Sequence, residues 1–379
     1  MAHLAYFRKE YVEQRRWLDE EDYADLVALG QFLPGPASSQ VGFGVGYLQR
    51  GIAGGLAAWL GFTLPSALLM IAFGYGVAAL SDLGGAGWLR GLKAAAVAVV
   101  AQAVWQMWRK LCPDFPRSLL AGACAGALLL VTSVWSQVAL IALGAGIGWL
   151  LLKKPASDGA RTPSPHPIRA ASPQTGVVLL VLFFLLLATL PALVRLAPSP
   201  MVEVADKFYR AGALVFGGGH VVLPLLEREV VAAGMVTHDQ FLAGYGAAQA
   251  VPGPLFTFAA YLGTVMGRGP GGLVGGLWAL GAIFLPALLL MAGAMPFWER
   301  LRRRAEAQAA LRGANAAVVG VLLAALYHPV GTSGLTDGRS IMLAVAAFVG
   351  LQVARAPAWA VVGLAAAAGA LLWRVGGVS

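Results

Sequence analysis

The sequence predicts an all-α polytopic membrane protein, built as two repeats of inverted topology with broken or re-entrant helices at Pro-Gly-Pro motifs. Three observations carry that prediction. The 379 residues are 59% hydrophobic and only 12% charged, with a mean hydropathy of +0.73; soluble domains carry about 25% charged residues. Apolar runs long enough to cross a bilayer recur along the whole chain. Two Pro-Gly-Pro triplets, Pro34-Gly35-Pro36 and Pro252-Gly253-Pro254, interrupt apolar sequence at related places. Proline removes a backbone donor and clashes with the preceding turn, and inside a membrane such breaks survive only where protein or a watery cavity satisfies the freed groups.

Taken in order, residues 1–22 have the pattern of an amphipathic, charged helix at a surface. Residues 24–49 are apolar but broken at Leu33-Pro34-Gly35-Pro36, and Gly51 to Leu80 is a long span with Pro65 inside. Leu89 to Trp108 carries Arg90 and Lys93 near its start, and Arg117 to Thr132 and Trp135 to Leu152 form a tight pair. The Pro-, Ser- and base-rich stretch 153–176 is a cytoplasmic linker between a first repeat, 1–152, and a second, 177–379. Val177 to Leu196 is a clean apolar span. From Phe208 to Pro296 the chain carries the second set of motifs, with its long apolar run broken at Leu285-Pro286. Residues 305–327, 340–353 and 357–373 close the chain.

The duplication rests on matches in one order. Leu33 to Pro36 matches Val251 to Pro254, and Gln31 matches Gln249, at a shift of 218. Leu64 to Met70 matches Leu285 to Met291 at 221, Leu89-Arg90-Gly91 matches Leu311-Arg312-Gly313 at 222, and His3 matches His220 at 217. Internal duplication is a common build for secondary transporters. Basic residues set the relative orientation. Arg109, Lys110 and Arg117 face a counterpart, His328 to Asp337, without Lys or Arg. Conversely Arg300, Arg302, Arg303 and Arg304 have a counterpart, Asp82 to Gly87, without Lys or Arg, and Arg8, Lys9, Arg15 and Arg16 face a stretch with only Arg228. The bias alternates, so equivalent loops are expected on opposite sides, with Val177 to Leu196 as the odd span that flips the second half.

The composition excludes several function classes. The formal charge of +9 sits mostly in short loops, which is positive-inside topology rather than a nucleic-acid surface. Cys112 and Cys124 have neither metal-like nor disulfide-framework spacing. No catalytic set and no phosphate-binding loop is present, so no enzyme activity, metal or cofactor is expected. What remains is anion chemistry. The paired breaks Pro34, Gly35, Pro36 and Pro252, Gly253, Pro254 offer helix N-termini with free N–H groups; the alternative is a pair of kinks that let helices pack closely. Gly217, Gly218 and Gly219 offer a backbone nest, with a tight turn as the alternative, and His220 beside them can bind an anion or carry a proton. Arg90 matches Arg312 and Lys93 matches Asn315; these are either an oxyanion clamp or side chains snorkelling to an interface. Gln31, Gln249, Ser38, Ser39, Gln40 and Thr257 add neutral hydrogen-bonding capacity, whereas Glu227 and Glu229 fit a solvated helix face.

The segments FGGGHVVLPLLEREVV, QAVPGPLFTFAAYLG and LPALLLM resemble the second half of the two-repeat chromate ion transporter (CHR) family, and EYVEQRRWLDEEDYADLVALGQFLPGPASSQVGFGVGYLQRG resembles its first half. The resemblance covers nearly the whole chain. It implies a multi-pass protein of the bacterial inner membrane that exports chromate, with sulfate as a similar anion, driven by a coupling ion, and that confers chromate resistance. The expected partners are the oxyanion, the lipid bilayer and a second copy in a homodimer. A passive anion channel and a non-transporting scaffold are the competing classes. One departure stands out: the family carries a Phe-Gly-Gly-Pro before the position of Ala2-His3, so the start of the chain is expected to lie upstream of Met1.

Overall fold

The computed structural model describes residues 2–79, 87–131, 134–152, 172–215, 222–298 and 304–375. Of the linker expected at 153–176, residues 173–176 are helical; the expectations for 153–171, for Gly217, Gly218, Gly219 and His220, and for the loops 82–86 and 300–303 lie outside the described residues. Every element among the described residues is helical. Five helical segments are long and apolar enough to cross a membrane, as a multi-pass membrane protein requires.

The first half opens with α1 (Ala2–Arg8) and a wide helical turn, Lys9–Gln14. Helix α2 (Glu20–Phe32) starts where Asp19 accepts the Asp22 N–H at 2.7 Å, with Glu20, Glu21 and Asp22 in its first turn. The side chain replaces a missing backbone acceptor, and the acids oppose the positive end of the helix dipole. It stops at Leu33, which is extended (φ −77°, ψ 151°), as a residue before proline prefers. Helix α3 (Ala37–Ala79) is two arms: Arg50 and Gly51 leave helical geometry, separating 37–49 from 52–79. The arms fold together, with Gly46 against Gly54 and the Phe43 ring over Gly55.

The second half repeats the plan. After α7 (Pro173–Leu196) come α8 (Pro200–Ala213), the short α9 (Val222–Leu226) and a wide turn, Glu227–Val231. Helix α10 (His238–Ala250) begins with a capping box between Thr237 and Gln240 and ends at an extended Val251. Then follow α11 (Phe258–Val265) and α12 (Gly272–Ala294), with Gly263 against Gly275 where the first half has Gly46 against Gly54.

Each Pro-Gly-Pro is the tip of a helical hairpin. The Tyr261 hydroxyl, in α11, donates to the Gln240 carbonyl at the start of α10, 2.7 Å away, and the rings of Phe241 and Phe258 lie 5.0 Å apart. In the first half, a Cβ on Gly44 would lie 2.9 Å from the Leu26 side chain. Helices α2 and α10 have 13 residues each, about 20 Å long, shorter than the roughly 30 Å hydrocarbon core of a bilayer.

The expected interruption at Leu285-Pro286 is not there. Helix α12 runs through Pro286 just as the second arm of α3 runs through Pro65. Close packing accompanies this turn: a Cβ on Gly212 of α8 would lie 3.0 Å from the Pro286 ring.

The halves are also interlaced through α4 (Gly87–Leu111), α5 (Phe115–Leu130), α6 (Val134–Leu151), α13 (Ala305–Ala325), α14 (Gly338–Gln352) and α15 (Ala358–Val375). First-half α4 packs on second-half α14 and α15, while second-half α13 packs on first-half α5 and α6. The crossings match: Gly91 meets Gly369, and Gly313 meets Gly148. The expected pairing of α5 with α6 is thus mediated by α13. Helix α7 is peripheral; 6% of its apolar window is buried inside the protein.

Candidate functional site: two hairpin tips on two proline kinks

The tips dock reciprocally. Gly35 has φ +126°, and a Cβ there would lie 2.7 Å from the Cβ of Ala287, the residue after Pro286. Gly253 has φ +142°, and a Cβ there would lie 2.7 Å from the Cβ of Ser66, the residue after Pro65. Positive φ and close approach leave glycine as the residue that fits. Gly35 and Gly253 are matched, and so are Ser66 and Ala287. Each half therefore places its tip on the kink of the other half.

The side chain in the first turn after each tip secures it. Gln40 Nε2 donates to the Pro34 carbonyl at 2.9 Å and approaches the Ala287 carbonyl at 3.4 Å. In the second half Thr257 Oγ1 donates to the Pro254 carbonyl at 2.9 Å. The Gly35 N–H donates to Val215 O at 2.6 Å, tying the first tip to the end of α8 as well. Gly35, Pro36, Gln40 and Pro254 are buried, Pro34 and Gly253 half-buried, and Pro252 exposed.

The candidate cations stand elsewhere on the scaffold. Lys93 Nζ pairs with Asp239 Oδ1, at the opposite end of α10 from its tip. Arg312 Nη2 donates to Leu152 O at 2.8 Å, where a cation meets the negative end of the α6 dipole. Asn315, one turn along, has a buried Oδ1 without a hydrogen-bond partner. Arg90 acts on Asp337, the N-cap of α14; the Ser340 backbone hydrogen bond foremost, then the Ser340 hydroxyl, Arg90 and Arg339, hold that carboxyl below the usual range.

Two sequence expectations change here. Glu227 and Glu229 are not on a solvated face; they are 4% and 7% exposed. His238 Nδ1 lies 3.0 Å from Glu227, and Arg210 bridges Asp206 at 2.6 Å and Glu229 at 3.3 Å. Cations of α8 draw Glu229 inward and His238 of α10 meets Glu227; the Glu203/Lys207 and Asp206/Arg210 spacings of four already mark α8 as a paired face. Sequence reasoning also passed over Thr63 and Ser66, which stand with Trp59. Their spacing places them on one face of the second arm of α3, and Thr63 and Ser66 are each 1% exposed. No group of His, Cys, Asp and Glu suited to a metal is found among the described residues.

Comparisons with known proteins agree with this two-part arrangement. The family model described as chromate transporter matches residues 1–149 and 202–370, one block in each half. A probable chromate transport protein of Synechococcus elongatus is 27% identical over 98% of this chain and 91% of its own. A chromate transport protein of Pseudomonas aeruginosa is 29% identical over 92% and 82%, and one of Cupriavidus metallidurans is 26% identical over 86% and 77%. No solved structure matches.

Proposed function

The chain belongs to the chromate transporter family, and we propose that it exports chromate across the bacterial inner membrane by gradient-driven alternating access, with sulfate as a competing oxyanion. The observation that carries this reading is the reciprocal docking of Gly35 on Ala287 and of Gly253 on Ser66. Two equivalent tip-and-kink contacts give the molecule two related ways to open, one to each side, provided the repeats are inverted. The alternating basic loops and the odd span α7 support that inversion.

In this reading the substrate lies between the tips, where helix N-termini present unpaired N–H groups to an anion. Gly217, Gly218, Gly219 and His220 add backbone N–H groups and an imidazole to the set that recognises the anion. Arg90, Lys93, Arg312 and Asn315 act in the opposite-facing state. Lys93 and Arg312 then exchange their present partners, Asp239 and the Leu152 carbonyl, for the oxyanion.

The test is chromate flux into everted vesicles, with and without an imposed proton gradient and with sulfate as competitor. Gradient-dependent, sulfate-inhibited accumulation is expected. Gradient-independent flux would make the protein a channel, and no flux would leave it a scaffold. Arg312→Ala is expected to abolish chromate resistance while membrane expression persists; resistance at the wild-type level would remove Arg312 from the cycle.

A further inference from the structure

The two tip-and-kink crossings have the same backbone but opposite interiors. Aligned on the equivalent glycine contacts, Gly46 against Gly54 and Gly263 against Gly275, which shift the arms by 217 and 221, the first half has Ser39 where the second has Phe256, Thr63 where it has Phe284, Trp59 where it has Leu280, and Ser66 where it has Ala287. The second-half pair is a closed aromatic contact: Phe256 and Phe284 are fully buried, with ring centroids 5.4 Å apart. The first-half pair is two hydroxyls, 2% and 1% exposed, and both Ser39 Oγ and Thr63 Oγ1 lack a hydrogen-bond partner. Trp59 Nε1 is buried without a partner too.

The register of the two arms brings these donors together. Phe43 lies over Gly55, and Gly46 against Gly54 and Ala58. One to two turns on, that antiparallel register brings Ser39 against the Trp59–Thr63 turn. The Trp59 ring is 5.5 Å from Phe284, so the aromatic pair of the second half closes the other side. Ser39 also stands in the first turn of the 37–49 arm. The Gln40 N–H is bonded to Pro36 O at 3.0 Å, and the N–H groups before it precede the helical ladder.

Building on the oxyanion-transport reading above, we propose that the substrate seat is one-sided: Ser39, Thr63 and Trp59 donate to the oxyanion, and Phe256 and Phe284 form its apolar wall. Buried hydroxyls without partners are unfavourable unless a ligand completes them. A tetrahedral oxyanion supplies acceptor oxygens to three neutral donors and to a helix N-terminus. Neutral donors suit a carrier, because charge-assisted bonds hold more tightly and the substrate has to leave. Gln40 already spends its Nε2 on the tip; its Oε1 is an unpartnered acceptor, so it shapes the seat and does not donate to the anion.

The test uses the full chain in proteoliposomes with chromate as the probe. Thr63→Val keeps the shape and removes the donor; Ser39→Ala does the same at its position; Thr63→Ser restores a donor. Thr189→Val, on peripheral α7, is the control. Thr63→Val and Ser39→Ala are each expected to raise the half-saturating chromate concentration about tenfold, the worth of one hydrogen bond left unmade. Thr63→Ser returns to within about threefold of wild type on the same scale. Monodisperse, wild-type-like elution of each variant separates a lost donor from a lost fold. Unchanged half-saturation in both donor-deleted variants, with wild-type flux intact, overturns the one-sided seat alone. Absence of flux in the wild type would instead overturn the transport reading. Sodium-stimulated flux lost in Ser39→Ala would overturn the anion assignment in favour of a cation bound by the same oxygens.

Discussion

The hairpin tipped by Gly35 and the hairpin tipped by Gly253 differ least where the backbone is demanding and most where only side chains meet. Both tips keep a glycine at positive φ, +126° and +142°, and both continue into an arm that reverses over a glycine–glycine contact. Between the hairpin helices the volumes are swapped. Leu26 fills the space beside Gly44 in the first half, whereas in the second half the residue matched to Leu26 is Gly244 and Tyr261 fills the space beside it. Deeper in, one half holds Ser39 and Thr63 and the other Phe256 and Phe284. Duplication thus fixed the positions only glycine or proline can occupy and left the interiors free to diverge, one polar and one apolar.

The strongest way to break the comparison is at the tips. Gly35→Val and Gly253→Val each force a branched side chain into positive φ and against the opposite kink. Each is expected to lower chromate flux by about a hundredfold or more, since misplacing a site by about an ångström costs that much. Equal losses in purified, reconstituted protein would show that both crossings are needed. A loss confined to Gly35→Val would restrict the working site to one half.

The volume swap is the next test. Gly244→Ala drives a methyl group into the Tyr261 ring, and overpacking of this kind costs about 1–3 kcal/mol. Pairing it with Tyr261→Leu, the size found at Leu26 in the other half, is expected to recover part of that loss, because touching residues couple. Thermal unfolding in detergent reads both. Additive losses would mean that the two side chains do not share one space.

Much of this was legible in sequence because glycine and proline constrain the backbone locally. Pro34 and Pro252 end helices as their chemistry requires, and the shift of 218 between the triplets announces the duplication. Pro286 misled for the same reason: its local penalty is real, but α8 packs Gly212 against it and the helix continues. Burial of Glu229 depends on cations of α8 some twenty residues earlier in the chain, at Arg210 and Lys207, and that of Glu227 on His238 at the start of α10. Hydropathy reports how polar a residue is, and it carries no information about which distant residue neutralises it. Thr63 was hidden in the same way. Within an apolar run a threonine is unremarked until the two arms of α3 fold together.

The smallest effects belong to a matched pair of helix caps. Asp114 caps α5 by accepting the Arg117 N–H at 3.2 Å, and Asp337 caps α14 by accepting the Ser340 N–H at 2.8 Å. Replacing either by alanine is expected to cost about 1 kcal/mol. Asp337 adds a pH signature. Its carboxyl is held below the usual range by Ser340 first, then by Arg90 and Arg339, so folding favours the ionised form. That contribution is complete above the unfolded aspartate range, about 4, and is lost as pH falls through the lower folded value. Acidification below about pH 4 is therefore expected to lower the unfolding temperature of the wild type more than that of Asp337→Asn, which keeps an acceptor but no titrating proton. Parallel acid slopes in the two proteins would mean that Asp337 is not ionised preferentially in the folded chain, and that the two caps are energetically alike as well as matched in position.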